Sequence, residues 1–170
     1  MNWLAKLLAI RSVPVSSLDL ALRESLSQSM ALPPADLLKT HFETRYIIVN
    51  TEATGPDVSR DRHLAIAAIA VERSIVVPAD SYYAKLEQDP VTALTNLITF
   101  VGNNPVVVFN SVFNRVMLES SLERSLGVMP AWEWLDLYTV LAGLFPELAS
   151  RPIRLENWMR LFRVETFQRH

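Results

Sequence analysis

A run of four apolar residues, Tyr46–Val49, leads into a polar segment and then a turn. The run is typical of a buried strand. Asn50–Glu52 follow it directly, and Gly55-Pro56 closes the segment. An open α/β sheet binds its ligand where strands end in polar groups and the chain then turns. We therefore expect the residues that follow this strand to face a substrate.

Four further segments have the composition of strands. Leu64–Val71 is small and apolar on both faces, and Ile75–Val77 follows it before Pro78. Together with the first strand, these two segments predict an antiparallel meander. Val106–Phe109 is almost entirely β-branched, which favours a central position in the sheet. Trp134–Leu137 predicts a short fifth strand.

Helical periodicity marks four segments after the meander. They span Pro90–Val101, Val112–Leu126, Tyr138–Phe145 and Leu155–Phe162. The side chains that we expect to be buried are Leu94, Leu97, Ile98 and Val101 in the first helix, and Val116, Leu118, Leu122 and Leu126 in the second. The order of elements predicts an α/β fold: a mixed five-stranded sheet with helices on both faces, preceded by N-terminal helices.

Residues 1–44 predict a helical N-terminal extension, and residues 45–170 the sheet domain. Residues 2–11 alternate apolar and basic side chains at helical spacing. Ser16 or Ser17 is a candidate cap for a second helix that runs to about Met30, and residues 35–39 predict one or two further turns. The apolar stripe of the second helix is Leu18, Leu22 and Leu26. Two interpretations stay open: the extension packs on the sheet domain, or it offers a surface for a protein partner, a second copy or a membrane.

Composition narrows the functional classes. Half of the residues are hydrophobic, a fifth are charged and the formal net charge is −2, so the chain has no overall basic bias. The absence of cysteine excludes disulfides and thiolate metal sites. No run of about 18 apolar residues occurs, and we expect a cytoplasmic protein without a membrane partner. The four glycines form no phosphate-binding loop, which disfavours nucleotide-dependent enzymes.

The segment Arg45–Gly55, RYIIVNTEATG, resembles the first motif of the DEDD superfamily of proofreading 3′–5′ exonucleases, which includes the epsilon subunit of bacterial DNA polymerase III and ribonuclease T. The family form is an apolar strand followed by Asp-x-Glu-Thr-Thr-Gly. Glu52 and Thr54-Gly55 match this form, Asn50 replaces the Asp, and Ala53 replaces the first Thr. The resemblance implies the ribonuclease H-like fold, whose element order matches the order predicted above.

Three later segments resemble the rest of the family pattern. Val106–Asn114 is similar to a strand followed by His-Asn-Ala-x-Phe-Asp, with Asn110 and Phe113 matching and the other three positions changed to Phe109, Ser111 and Asn114. Trp134–Leu141 resembles a strand-to-helix step in which Asp136 would cap the helix. Leu155–His170 is similar to the approach to the third motif. His170 aligns with the catalytic His, and the sequence contains no counterpart of the Asp that follows it.

The resemblance implies a role for each matched position. Glu52 and His170 would be catalytic, and the metal-ligand positions would be Asn50, Glu52 and Asn114. The substrate would contact Thr51, Ala53, Thr54, Asn110 and Phe113. The carboxylates of the family hold two Mg²⁺ or Mn²⁺ ions that activate a water. Asn offers an oxygen without charge, so we expect Mg²⁺ or Mn²⁺ in an active enzyme and no cofactor otherwise.

Three functional hypotheses follow. In the first, the chain is an exonuclease-like protein that binds 3′ ends of single-stranded nucleic acid but is catalytically impaired by Asn50, Asn114 and the missing last Asp. In the second, it is an active metal-dependent 3′–5′ exonuclease present in altered form. In the third, it is a protein-interaction module that works through the N-terminal helices. We also expect His63 to be a packed strand residue, and Trp132 and Trp134 to lie in the core or an interface.

Overall fold

A computed structural model of the chain describes residues 19–148 and 154–165. The predicted helix over residues 2–11, the candidate caps Ser16 and Ser17, and His170 lie outside these ranges. In chain order the described elements are α1 Leu20–Met30, β1 Tyr46–Ala53, β2 His63–Glu72, β3 Ile75–Lys85, α2 Pro90–Val101, β4 Val106–Val108, α3 Ser111–Leu126, β5 Trp134–Asp136, α4 Leu137–Leu144 and α5 Leu155–Leu161.

The five strands form one mixed sheet in the order β3-β2-β1-β4-β5. β1 and β2 are antiparallel, as are β2 and β3, which confirms the predicted meander. β4 runs parallel to β1, and β5 runs parallel to β4. The predicted mixed five-stranded sheet is therefore confirmed. Because parallel strands end at the same edge of the sheet, the carboxyl ends of β1, β4 and β5 meet there.

β3 is much longer than the sequence predicts. We expected the strand to stop before Pro78, but it continues to Lys85. The register with β2 shifts between Ile69 and Ala70, so that Pro78 lies in a bulge. β3 is an edge strand, and a bulge at an edge is where a sheet tolerates a residue that lacks an N–H donor. The prediction was wrong because the expectation that proline ends a strand holds for central strands, and the local sequence does not indicate that β3 is at the edge of the sheet.

The helix-covered face of the sheet contains the hydrophobic core. Ile47 and Val49 of β1, with Ala70 and Ala68 opposite them on β2, are buried on this face. α2 and α3 pack against each other and contribute to the same core, as does Leu26 of α1. The division of the chain at residues 44 and 45 stays a prediction.

The helix termini follow from local sequence. Asp89 caps α2 by accepting a hydrogen bond from the Thr92 N–H, and Pro90 occupies the first turn. Its predicted buried stripe is confirmed. α3 ends at Gly127, whose φ of 66° is left-handed and suits glycine. In α3, Leu118, Leu122 and Leu126 are buried as predicted, but Val116 is 44% exposed. Val116 was misassigned because it lies on the flank of the helix, where none of the described elements covers it.

The segment before β1 differs from its prediction in two respects. α1 ends at Met30 as expected, but Asp19 is its cap and accepts a hydrogen bond from the Ala21 N–H. Residues 35–39 form turns instead of a helix, since Asp36 accepts a hydrogen bond from the Leu38 N–H and favours a turn. α3, with 16 residues, is the longest helix in residues 19–148 and 154–165, and none of the helices there could cross a bilayer.

Candidate functional site

The polar end of β1 is divided between the two faces of the sheet. Asn50 and Glu52 are exposed, whereas Thr51 between them is buried on the helix-covered face. This follows from the alternation of side chains along a strand. The first-motif residues therefore separate into an exposed pair and a buried hydroxyl.

Asn114 binds the buried side of this strand end. Its side-chain oxygen accepts hydrogen bonds from the Thr51 N–H, at 3.1 Å, and from the Thr51 hydroxyl, at 2.8 Å. Its side-chain nitrogen donates to the Phe109 carbonyl oxygen at 2.8 Å. β4 ends at Val108 and pairs with β1 only at Ile47 and Ile48. Beyond the last backbone pair of β1 and β4, the Asn114 side chain therefore provides the hydrogen-bond partners for the backbone groups of Thr51 and Phe109.

These contacts require an amide at position 114. The Thr51 N–H can only donate and the Phe109 carbonyl can only accept, so the orientation of the Asn114 side chain is determined by backbone groups. A carboxylate would place its second oxygen against the Phe109 carbonyl oxygen. Asn114 is only 8% exposed, and both of its polar atoms are occupied.

The side chains at the predicted metal positions do not fit a two-ion site. Asn114 is occupied by Thr51 and Phe109 on the buried side, whereas Asn50 and Glu52 lie on the exposed face. Glu52 is the single acid among the three positions. Within residues 19–148 and 154–165, no group of three His, Cys, Asp or Glu side chains could hold a metal ion.

Asp136 joins the starts of two helices at the same edge of the sheet. Its carboxylate accepts hydrogen bonds from the N–H groups of Asn110 and Ser111, at the start of α3, and of Tyr138 in α4. The predicted helix cap is confirmed, and the link to α3 is an additional role. Burial alone would raise the pKa of Asp136, but the bonds from Ser111, Tyr138 and Asn110 together lower it below the usual value. Asn110 has a φ of 68°, a left-handed conformation that Asn tolerates better than most residues.

The turn after β1 is organised by Asp61. This carboxylate accepts hydrogen bonds from the Thr54 hydroxyl at 2.7 Å and from the Asp57 N–H at 2.8 Å. The Thr54 oxygen in turn accepts from the Arg62 N–H. A Cβ on Gly55 would lie 2.6 Å from an Asp61 side-chain oxygen, so a larger residue at this position would force the Asp61 carboxylate to move. Thr54 and Gly55 therefore have structural roles in the turn, whatever else they contact.

A surface cleft of about 530 Å³ lies between this turn and the start of α3. Its lining is mostly apolar and comprises Ala53, Gly55, Pro56, Val58, Asn110, Val112 and Phe113. Sites for small organic ligands are mostly apolar with a few polar groups and have volumes of a few hundred Å³. The fold thus brings together Ala53, Asn110 and Phe113, three of the predicted substrate contacts, although they come from segments about 60 positions apart.

His63 is buried, as expected for a packed strand residue. Its Nδ1 lies 2.8 Å from the Ser121 hydroxyl of α3, and its Nε2 has no partner in the described part of the chain. Burial lowers the pKa of His63 to about 4, with a smaller contribution from the charge of Arg124. Trp132 is buried and donates to the Gly102 carbonyl, and Trp134 packs against it edge to face.

Sequence reasoning missed two features of this edge. The role of Asp61 was not predicted, because its partners Thr54 and Asp57 lie seven and four positions before it along the chain. We treated Asn114 as a substituted ligand, and no local signal identifies its partner 63 positions away. His170 lies outside the described residues, so its predicted role stays a prediction.

Comparison with known proteins supports the fold alone. No family model matches the chain, and no curated protein matches it. Among solved structures, the zinc-ion-bound form of E. coli exonuclease I with single-stranded DNA matches at 12% identity and a TM-score of 0.56. E. coli exonuclease I with an oligonucleotide matches at 14% and 0.56, and product-bound exonuclease I at 14% and 0.52. The matches cover 69%, 72% and 72% of this chain, but only 35%, 37% and 39% of the respective exonuclease chains.

The strand order, the parallel addition of β4 and β5 to an antiparallel meander, and these matches define the class. The chain is an α/β protein with the ribonuclease H-like fold found in exonuclease I. Because one fold supports many activities, function has to be argued from the site itself.

Proposed function

We propose that this chain is a cytoplasmic, exonuclease-like protein that binds the 3′ ends of single-stranded nucleic acid and has lost two-metal hydrolysis. The observation that carries the proposal is the Asn114 amide, which is fully hydrogen-bonded between Thr51 and Phe109. A residue that is committed in this way cannot also act as an anionic metal ligand. Glu52 is then the one acid left of the metal-ligand positions in the first two motifs.

The charge at the site supports the loss of hydrolysis. A divalent cation binds where several anionic oxygens offset its charge. Asn50 and Asn114 remove two of these anions, and each unit charge at about 4 Å contributes on the order of 1–4 kcal/mol near a protein surface. Asn50, Glu52 and Asn114 together would hold a Mg²⁺ or Mn²⁺ pair poorly, so no hydrolytic step is assigned to this site.

The cleft supports retained binding. It lies at the carboxyl edge of the sheet, where open α/β sheets bind ligands. Its volume of about 530 Å³ is large enough for a nucleotide, and Phe113 supplies an aromatic side chain on which a base could stack. Asn110 adds polar groups that could orient a terminal sugar or base.

The proposal is tested with a single-stranded oligonucleotide that carries a 5′ fluorophore. Binding is followed by anisotropy, and shortening from the 3′ end by gel, each with Mg²⁺ and with Mn²⁺. We expect binding that weakens when the 3′ end carries a phosphate, and no shortening. Metal-dependent degradation that Glu52→Ala abolishes would instead support an active exonuclease and overturn the proposed loss of hydrolysis. Failure of wild-type protein to bind any single strand would overturn the proposed binding.

A second candidate function is protein association through the segment before β1. Leu37, Leu38 and Phe42 are exposed, Leu38 by 96%. Deleting the whole N-terminal region is a poor test because Leu26 of α1 is part of the core. Leu38→Lys combined with Phe42→Lys leaves the core intact. Loss of self-association in light scattering would favour this candidate, and an unchanged monomeric mass would remove homodimerisation through these side chains.

A further inference from the structure

The face of the sheet opposite α2 and α3 is open over β1, β2 and β3. The register places residues of the three strands side by side in rows. One row is Asn50, Ala67 and Tyr83, and the next, closer to the carboxyl end of β1, is Glu52, Ala65 and Lys85. Residues directly opposite each other on neighbouring strands project from the same face. The two rows therefore form one continuous surface, which we call the open face.

The open face is accessible at its centre. Ala67 is exposed although β2 lies between two other strands. Tyr83 is 61% exposed, and Asn50, Glu52 and Lys85 are exposed as well. The side chains of these four residues make no hydrogen bond, ion pair or ring contact with any residue in the described ranges. Within those ranges the row of Asn50, Ala67 and Tyr83 is uncovered, whereas Ala65 in the neighbouring row is buried.

The chemistry of the open face favours a polar, extended ligand. Four of the six side chains in the two rows are polar or aromatic with a polar tip. Ala67 is exposed between Asn50 and Tyr83, whereas Ala65 is only 4% exposed between Glu52 and Lys85. An apolar helix would have to desolvate Glu52 and Lys85 without compensation. A flat base can instead stack on Tyr83 while its phosphate meets the Lys85 ammonium group.

We propose that single-stranded nucleic acid crosses the open face, with Tyr83 stacking a base and Lys85 pairing with a phosphate. The inference rests on the proposed function and extends it. Glu52 on the open face is followed directly by the cleft residue Ala53. Because side chains alternate along a strand, the open face and the cleft lie on opposite sides of the carboxyl end of β1. The distance from β1 to β3 is about 10 Å. A nucleic-acid strand whose 3′ end lies in the cleft would have to pass around the carboxyl end of β1 and then cross β2 to place an upstream nucleotide on Tyr83. A mononucleotide could not span this path.

The experiment measures the affinity of full-length protein for two fluorescent probes, a mononucleotide and an oligonucleotide long enough to cross three strands. Tyr83→Ala should weaken oligonucleotide binding about fivefold to a hundredfold, the usual effect of one lost stacking contact, and leave mononucleotide binding unchanged. Tyr83→Phe retains the ring and should bind as wild type does. Ile75→Ala is the matched control, because it is an exposed apolar position at the far end of the same strand.

Two charge variants sharpen the result. Lys85→Gln should weaken oligonucleotide binding and reduce its dependence on salt concentration, since one phosphate contact is lost. Glu52→Gln should strengthen binding a few-fold, because it removes an anion beside the phosphate path. A metal-ligating role for Glu52 would give the opposite sign.

The outcomes separate this inference from the proposed function. If wild-type protein binds the oligonucleotide but Tyr83→Ala and Lys85→Gln bind equally well, the open face is not the path, and binding at the cleft stands. Oligonucleotide binding that is unchanged in Tyr83→Ala while self-association is lost would assign the open face to a second copy and overturn the inference. If wild-type protein binds neither probe, both proposals fail.

Discussion

Replacing Asn114 by Asp tests whether this residue is a substituted metal ligand or a structural amide. The substitution changes the donor at 2.8 Å from the Phe109 carbonyl oxygen into an acceptor. The lost hydrogen bond costs about 1 kcal/mol, and a buried oxygen left without a partner costs a further 1–3 kcal/mol. Because the two bonds from Thr51 remain possible, we expect Asn114→Asp to lower the free energy of unfolding by about 2–4 kcal/mol at neutral pH.

The assay is urea denaturation followed by tryptophan fluorescence, with Asn50→Asp as the matched control. Asn50 is the other position where Asn replaces the Asp of the family pattern, but it is exposed, so its change should stay within about 0.5 kcal/mol. At low pH the introduced carboxyl group at position 114 is protonated and can donate to Phe109. The deficit of Asn114→Asp relative to wild type should therefore shrink as the pH falls and grow as it rises.

The reasoning is refuted if Asn114→Asp is as stable as wild type and gains Mn²⁺ binding in calorimetry, above all when it is combined with Asn50→Asp. That result would mean that the second oxygen finds a metal instead of a repulsive carbonyl. Loss of stability without metal binding supports the amide as a structural requirement.

Three further predictions concern the same edge of the sheet. The pKa of His63 is about 4 in the folded chain and about 6.5 unfolded, so stability is fully present above about pH 6.5 and should decrease by about 3 kcal/mol as the pH falls toward 4. His63→Gln should flatten this decrease in urea titrations, and a pH profile equal to that of wild type would contradict the assignment. Asp136→Ala removes the acceptor at two helix starts and should cost about 2 kcal/mol. The cost should begin to diminish below about pH 4, where the carboxyl group of the unfolded chain takes up a proton, and should continue to fall as the pH passes through the lowered pKa of the native carboxylate; a pH-independent cost would contradict it. Gly55→Ala should displace Asp61 and lower the free energy of unfolding by about 1 kcal/mol or more through lost hydrogen bonds in the turn. A variant with the stability and oligonucleotide affinity of wild type would contradict this prediction.

The sequence by itself determined the elements whose signals are local. The apolar run at Tyr46–Val49 is a strand, and Pro90 and Gly102 bound their helix, because capping and alternation involve residues within a few positions of each other. Asp136 could be identified as a cap for the same reason, since its partner Tyr138 is two residues away. The antiparallel meander of β1, β2 and β3 was predictable because consecutive strands joined by short turns usually pair with each other.

Only the tertiary structure decided what the polar residues do. The Asn114 side-chain oxygen accepts a hydrogen bond from Thr51, 63 positions away. The sequence around either residue does not indicate that they are partners. A proline would end a strand in the centre of a sheet, but Pro78 lies in a bulge of the edge strand β3, where it is accommodated. Which strand is at the edge depends on the whole sheet. The exposure of Tyr83 and Ala67 likewise depends on which face the helices cover. The periodicity of the sequence indicates which side chains share a face of a strand or helix, and the tertiary packing decides whether another element covers that face.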